Sequence, residues 1–368
     1  MISGPLDQLY ARLSQKQIPA LDGVRMMAVF LVIFYHFGFN GVPGAHGVML
    51  FFVLSGFLIT WLLIEEQTAT GTVSLTAFYW RRTLRIFPAF YAFWFLVVAV
   101  GLLRNGAAPS AHAWSAFFYT SNYYSALNGH PVNAFSHTWS LGVEEQFYLM
   151  WPFVFLRCRG DLRLMTRILV AIISVALVHR AMLIYVFHVD ESYVYSAFDT
   201  RLDQLMAGAL AAVLLKRRVL QSFWSTACAH VLAPAVTIAL LSASIAYGAT
   251  IGGHYRYVIG FTLEPILFGV LLVQLVALSQ SPMWSWLDST PARFLGRISY
   301  PLYLYQEITL YPVKRLLAET PVGVQLAAAL LVTVGVATLS YYVIERPFLR
   351  MKRRQMPFQA GSAAPVAS

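Results

Sequence analysis

Residues Val24–Phe39 read VRMMAVFLVIFYHFGF, an apolar run interrupted only by Arg25 and His36. Eleven residues of α-helix rise about 16 Å and turn about 1100°, three turns plus roughly 20°. Arg25 and His36 therefore share one face of a single helix. That helix is apolar enough to lie in a bilayer, with Arg25 near one surface and His36 about half a bilayer deeper. Ionisable groups inside a membrane are costly and mark a reaction centre or a permeation path.

The rest of the chain has the same character. It has 368 residues, of which 58% are hydrophobic and 11% charged, with mean hydropathy +0.63. A soluble domain carries about 25% charged residues. The composition therefore indicates an all-α integral membrane protein, in which a net charge of +10 sets orientation and is not a nucleic-acid footprint. Cys158 and Cys228 form no motif. Residues 1–23 contain Pro5 and Pro19 and no apolar core, so they read as a cytoplasmic segment and not as a cleaved leader. Ala45-His46-Gly47 loosely resembles a cleavage site, but another long apolar run follows at once.

About ten windows suit membrane helices: 24–39, 47–64, 86–103, 138–156, 168–187, 203–215, 229–249, 258–278, 298–315 and 324–344. The window at 203–215 has room to extend backwards from Asp203, and the aromatic stretch 114–127 suits an interfacial or re-entrant piece. All but six of the 26 Lys and Arg residues fall at the N-terminus and the even-numbered helix ends. The other face holds only Arg104, Arg180, Arg201, Arg256, Lys314 and Arg315. The positive-inside rule then puts both termini in the cytoplasm. The expected organisation is a cytoplasmic segment 1–23, a transmembrane domain 24–348, and a tail 349–368 that is first basic, then disordered.

Four local patterns carry candidate chemistry. The first is Asp22-Gly23-Val24-Arg25 followed by His36. A buried neutral imidazole is either a packing residue or a general base. The second, Phe51 to Phe57 around Ser55-Gly56, lacks the first glycine and the strand of a nucleophile elbow. It reads better as a close-packing or hydrogen-bonding spot. The third is Arg81-Arg82-Thr83-Leu84-Arg85-Ile86-Phe87-Pro88, where Arg82 and Arg85 face one way on a helix. These are either lipid head-group anchors or a phosphate clamp, since guanidinium forks hold phosphate oxygens bidentately. The fourth runs His137-Thr138-Trp139-Ser140-Leu141-Gly142-Val143-Glu144-Glu145-Gln146-Phe147-Tyr148 and carries two carboxylates into an apolar helix, with His137 and Glu144 close to one face. Asp199, Asp203, Glu264, Glu307 and Glu345 are further acids in or near spans. Glu264 and Glu307 are placed to line a polar cavity, and Glu345 to pair at a helix end. His112, His130 and His137 are too widely spaced to argue zinc, and no cluster has metal-ligand spacing.

Together, the spacing from Arg25 to His36, the Phe52–Phe57 stretch, the Arg82–Pro88 stretch and the Trp139–Tyr148 stretch resemble the membrane acyltransferase 3 family. The resemblance extends more weakly to about residue 348 through Ser299-Tyr300-Pro301-Leu302-Tyr303-Leu304. It implies a multi-pass protein of a bacterial inner or plasma membrane that moves an acetyl group from acetyl-CoA to a sugar hydroxyl of a surface or exported glycan. Transfer to a small glycosylated molecule such as a macrolide is the alternative acceptor, and a glycan or lipid transporter is the alternative class. The resemblance assigns His36 as the essential histidine and matches Glu144 and Glu145 to the family's paired acids, either of which would orient and charge the imidazole or help place the acceptor. It places Arg25, Arg82 and Arg85 on the donor side, together with Ser55. Trp139, Ser140 and His137 are weaker candidates for the oxyanion or the substrate. Some family members carry a C-terminal esterase-like domain outside the membrane. This sequence shows none, so that relay is expected either to be missing or to come from a separate extracytoplasmic protein. The implied partners are a sugar-containing acceptor and membrane lipids, with no nucleic acid and no metal.

Overall fold

The computed structural model describes residues 5–15, 17–106 and 108–355. Lys16 and the expected disordered end of the tail lie outside the described residues. Every regular element among the described residues is helical, and ten helices have 18 residues or more. They are α1 (Pro19–Phe37), α2 (Gly44–Thr70), α3 (Leu75–Asn105), α4 (Thr138–Arg157) and α5 (Leu162–Tyr185), then α6 (Phe198–Lys216), α7 (Ala233–Ile251), α8 (Phe261–Leu278), α9 (Ser299–Leu316) and α10 (Val322–Ser340). The backward extension expected for the window at Asp203 is real, since α6 starts at Phe198. The aromatic stretch forms two short helices, Ala111–Phe117 and Ser121–Leu127.

Seven of the ten are long and apolar enough to cross a membrane: α1, α2, α3, α5, α7, α8 and α10. That is the first difference from the expected ten spans. The other three, α4, α6 and α9, each carry charged residues (Glu144 and Glu145; Asp199, Arg201 and Asp203; Glu307) among further polar ones, so their average hydropathy is too low. Arg201 and Asp203 on α6 are each 1% exposed. A polar side chain enclosed by other helices need not meet lipid, so enclosure and not mean hydropathy decides where it is tolerated.

The ends of α1 differ from expectation as well. It starts at Pro19, five residues earlier, because proline suits a first helical turn whose N–H groups have no partner anyway. It stops at Gly38, which has φ 117° and returns its N–H to the carbonyls of Phe34 and Tyr35. His36 therefore occupies the last turn of the helix, at its far end. The N-terminal segment is docked too. In the short helix Pro5–Leu13, Leu9 and Leu13 are buried. Arg12 donates to the carbonyls of Val276 and Ala277 at 2.8 and 2.6 Å and to Ser279 Oγ at 2.9 Å. A cation there satisfies the open carbonyls at the end of α8.

At the glycines, the α2–α6 contact is among the closest backbone approaches. A Cβ added at Gly56 would lie 1.8 Å from Leu205 O, and one at Gly208 1.9 Å from Val53 O. Small residues at such crossings let helices pack without a hydrophobic driving force in lipid. Gly56→Val is expected to destabilise the bundle by about 3 kcal/mol, since overpacking here meets immobile backbone. Gly335→Ala, where nothing lies within 4 Å, should behave as wild type. Thermal unfolding in detergent compares the two, and equal midpoints would refute the packing argument. The same layer is pinned by the bidentate pair of Arg180 and Asp203, at 2.9 and 2.7 Å.

Candidate active site

The functional residues gather at the two ends of α1. At its N-terminal end Arg25 pairs with Asp22 at 2.7 Å. Backbone contacts hold this end: a Cβ at Gly296 would lie 1.9 Å from Asp22 O, and one at Gly23 2.6 Å from Leu287 O. From α3, Arg82 and Arg85 face Arg25 through space. The Arg82 guanidinium lies 4.9 Å from the centre of the Tyr148 ring and 5.9 Å from that of Phe78. Among the described residues, neither Arg82 nor Arg85 makes a hydrogen bond or an ion pair. Their charge is offset only at a distance, by Glu144 and Glu145 facing Arg82 and by Glu345 facing Arg85. Three half-buried guanidinium groups thus lie within electrostatic reach of one another, two of them with donors that have no partner among the described residues, an arrangement with the chemistry to hold an anion.

Glu144 accepts from Ser55 Oγ at 2.8 Å. With its own proton committed, Ser55 Oγ accepts from Tyr148 at 2.9 Å. The Ser55 hydroxyl is therefore neither a free nucleophile nor a free oxyanion donor. It is a link that fixes α2 to α4.

At the other end of α1, His36 Nε2 lies 3.7 Å from Glu307 Oε1. The second oxygen of Glu307 lies 3.7 Å from Nδ1 of His137, whose side chain is wholly buried. Neither ring nitrogen of His137 has a hydrogen-bond partner in the structure. One carboxylate on α9 is thus shared by two imidazoles, one at the end of α1 and one at the start of α4. This corrects the sequence reading of the acids. One of Glu144 and Glu145 was expected to orient His36 or to help place the acceptor, but the packing of α4 against α2 and α3 puts Glu144 against Ser55 and both acids towards Arg82. The acid that faces His36 is Glu307, which the sequence placed only as one of two acids suited to line a polar cavity. A usable signal was present: Tyr303 and Glu307 share a helix face at i,i+4 spacing. Which helix that face meets is not a local property.

The remaining candidates divide by contact. Ser140 Oγ lies 2.6 Å from Tyr303 OH, and Tyr303 also donates to the carbonyl of His137 at 2.9 Å. Ser140 therefore locks α4 to α9 below the histidine and is not an oxyanion donor. Trp139 packs against Tyr195 at 5.0 Å and His130 at 6.1 Å, and its indole N–H has no acceptor among the described residues. His130 lies in the segment between the short helices and α4, within electrostatic reach of Glu307 and His36. Burial lowers its pKa, and that of His112 to about 4, so His112 is neutral near neutral pH. Glu264, expected to line a cavity, is taken up by His46 at 3.0 Å and Ser244 at 2.9 Å, so it is structural. Glu345, expected in an ion pair, is buried at the end of a π-turn, Tyr341–Glu345, and makes none among the described residues.

A cavity of about 400 Å³ opens beside His36, between α1, α9 and the start of α10. A second concavity of about 390 Å³, at Gly160, Arg163 and Arg217, includes none of the motif residues. No group of three or more His, Cys, Asp or Glu able to hold a metal ion occurs among the described residues.

Residues 18–343 match the family model described as an acyltransferase domain. The chain belongs to this acyltransferase family. It is 31% identical to the peptidoglycan O-acetyltransferase OatA of Listeria monocytogenes over 91% of this chain and 56% of that protein. It is also 31% identical to the O-acetyltransferase OatA of Staphylococcus aureus, over 93% of this chain and 58% of the relative. The putative peptidoglycan O-acetyltransferase YrhL of Bacillus subtilis is 31% identical over 90% of this chain and 55% of its own. The chain thus spans a little over half the length of the curated relatives it matches. No solved structure matches. With seven candidate spans, this family member is a multi-pass membrane protein. An acyltransferase requires an acyl donor, which frames the two ends of α1.

Proposed function

We propose that the chain transfers an acetyl or other short acyl group from acyl-CoA to a hydroxyl of a sugar in a cell-surface or exported glycan. One observation carries this reading. Free arginines gather at one end of α1, while at the other end a histidine faces a carboxylate beside an open cavity. The first suits the phosphates of CoA. The second suits proton transfer from a hydroxyl. The names of the relatives support the acceptor class. The bias of basic residues supports an arginine end, and both termini, on the cytoplasmic side, where acyl-CoA is found. On this reading, residues 24–348 form one acyltransferase domain.

In the proposed step His36 takes the proton of the acceptor hydroxyl as its oxygen attacks the thioester carbonyl carbon. The carbon–sulfur bond breaks, and the imidazolium returns the proton to the leaving thiolate. The products are the acyl ester and free CoA. Glu307 orients the imidazole and balances its charge while it holds the proton. Glu144 and Glu145 keep Arg82, Ser55 and Tyr148 in position for the donor. The free indole N–H of Trp139 supports a role at the oxyanion.

Arg82→Ala or Arg85→Ala is expected to raise the KM for acetyl-CoA about 10–100-fold, the worth of one or two charge-assisted hydrogen bonds. Initial rates with labelled acetyl-CoA check this, and an unchanged KM in both variants would remove the donor assignment. The acceptor is read from mass spectra of glycans made with and without the chain. An acetyl mass lost from one polymer supports the proposal. Unchanged glycans with acetylated small glycosides would favour the macrolide-type acceptor, and movement of glycan without CoA would favour a transporter.

A further inference from the structure

Six cations escape the basic-side bias, and the structure accounts for most of them. Arg180 is neutralised by Asp203. Arg201 is enclosed by the rings of Phe261, Tyr195 and Trp139, at 3.8, 4.6 and 5.2 Å. Arg256 stacks on Tyr257 at 5.3 Å. Arg104 ends the exposed last turn of α3. The last two, Lys314 and Arg315, lie in the final turn of α9 and line the same cavity as His36. Lys314 donates to the carbonyl of Phe37 at 2.8 Å and so secures the helix end that carries His36. Arg315 is exposed and has no hydrogen bond or ion pair among the described residues.

The rest of the rim fits a sugar ring. Tyr311, one turn before Arg315, is 71% exposed at the cavity. Gln325 uses its Nε2 on the carbonyl of Thr320 at 2.8 Å, which holds the turn between α9 and α10 in place. The cavity therefore offers one exposed aromatic ring, one free guanidinium and one ammonium against the helix end, all beside the imidazole.

We propose that this cavity is the acceptor subsite and that it selects a saccharide bearing a negative charge, held by Arg315 while an adjacent hydroxyl reaches His36. A guanidinium with no protein partner among the described residues, at a cavity it shares with Lys314, Gln325, Tyr311 and the apolar Phe37, Leu310 and Ala318, is what recognition of a charged sugar requires. The inference rests on the proposed acyl transfer for the identity of the acceptor, but binding can be read without turnover.

The test uses the full chain in nanodiscs of zwitterionic lipid. The probes are a trisaccharide ending in glucuronic acid and its glucose-ended counterpart, and acetyl transfer is followed alongside binding. Wild type is expected to bind the acidic probe about two- to five-fold tighter, as an ion pair at an exposed site allows, with the margin shrinking as salt rises. Arg315→Gln should remove the margin, Arg315→Glu should invert it, and Arg315→Lys should keep most of it. Equal affinity for the two probes would overturn the subsite. So would an effect of Arg315→Gln seen only in nanodiscs of anionic lipid, which would make Arg315 a head-group contact. Transfer without preference leaves the acyltransferase reading and removes the subsite. Preference without transfer does the reverse, and neither result removes both.

Discussion

His36→Ala is expected to abolish acyl transfer, lowering kcat by about 10²–10⁴-fold, the usual worth of a positioned general base. Binding of acetyl-CoA should be unchanged, because the residues proposed to hold the donor sit at the other end of α1. The side chain is not a packing element whose loss would unfold the protein: it is 30% exposed and opens onto the cavity. Equilibrium binding of labelled acetyl-CoA alongside single-turnover transfer separates the two effects. Retained transfer would sink the mechanism. Loss of both binding and transfer would mean that α1 had moved, and thermal unfolding of the variant would show it.

The second large effect concerns Glu307, which the sequence placed at a polar cavity but did not pair with His36. Glu307→Gln keeps the shape and removes the charge. It is expected to lower kcat about 10–100-fold, because a base that must hold a proton loses the carboxylate that orients it. KM for the donor should hardly move. Glu144→Gln should behave in the opposite way, raising donor KM through Arg82, Ser55 and Tyr148 with a smaller effect on kcat. The contrast tests the structure directly. If Glu144→Gln abolished turnover and Glu307→Gln were silent, the paired acids would be the partners of His36 after all.

Much of the architecture was legible because it is local. Ten helix positions follow from apolar runs, and each overlaps a helix of the structure. The close approach at Gly56 could be suspected from Ser55-Gly56 inside a span, since small residues mark helix crossings. The number of helices apolar enough to span was less legible. α4, α6 and α9 are polar because they face the interior, and exposure to lipid or to protein is not written in a window average. Ser55 and Ser140 show a similar limit. Their hydroxyls suggest chemistry, but each is committed to a partner on another helix, Tyr148 with Glu144 or Tyr303.

By itself the sequence determined that the chain is a helical membrane protein, that Arg25 and His36 share a helix, and that its motifs resemble those of the acyltransferase family. Hydropathy and helical period are properties of neighbouring residues, so a single strand of text contains them. Only the tertiary structure decided which carboxylate meets His36. Glu307 reaches it from α9, far along the chain, through the packing of α9 against α1 and the start of α4. Such a contact depends on helix rotation and crossing, which neither segment specifies alone. The same packing brought Lys314 and Arg315 to the cavity beside His36, joining two cations that break the charge pattern to the residue proposed as the base.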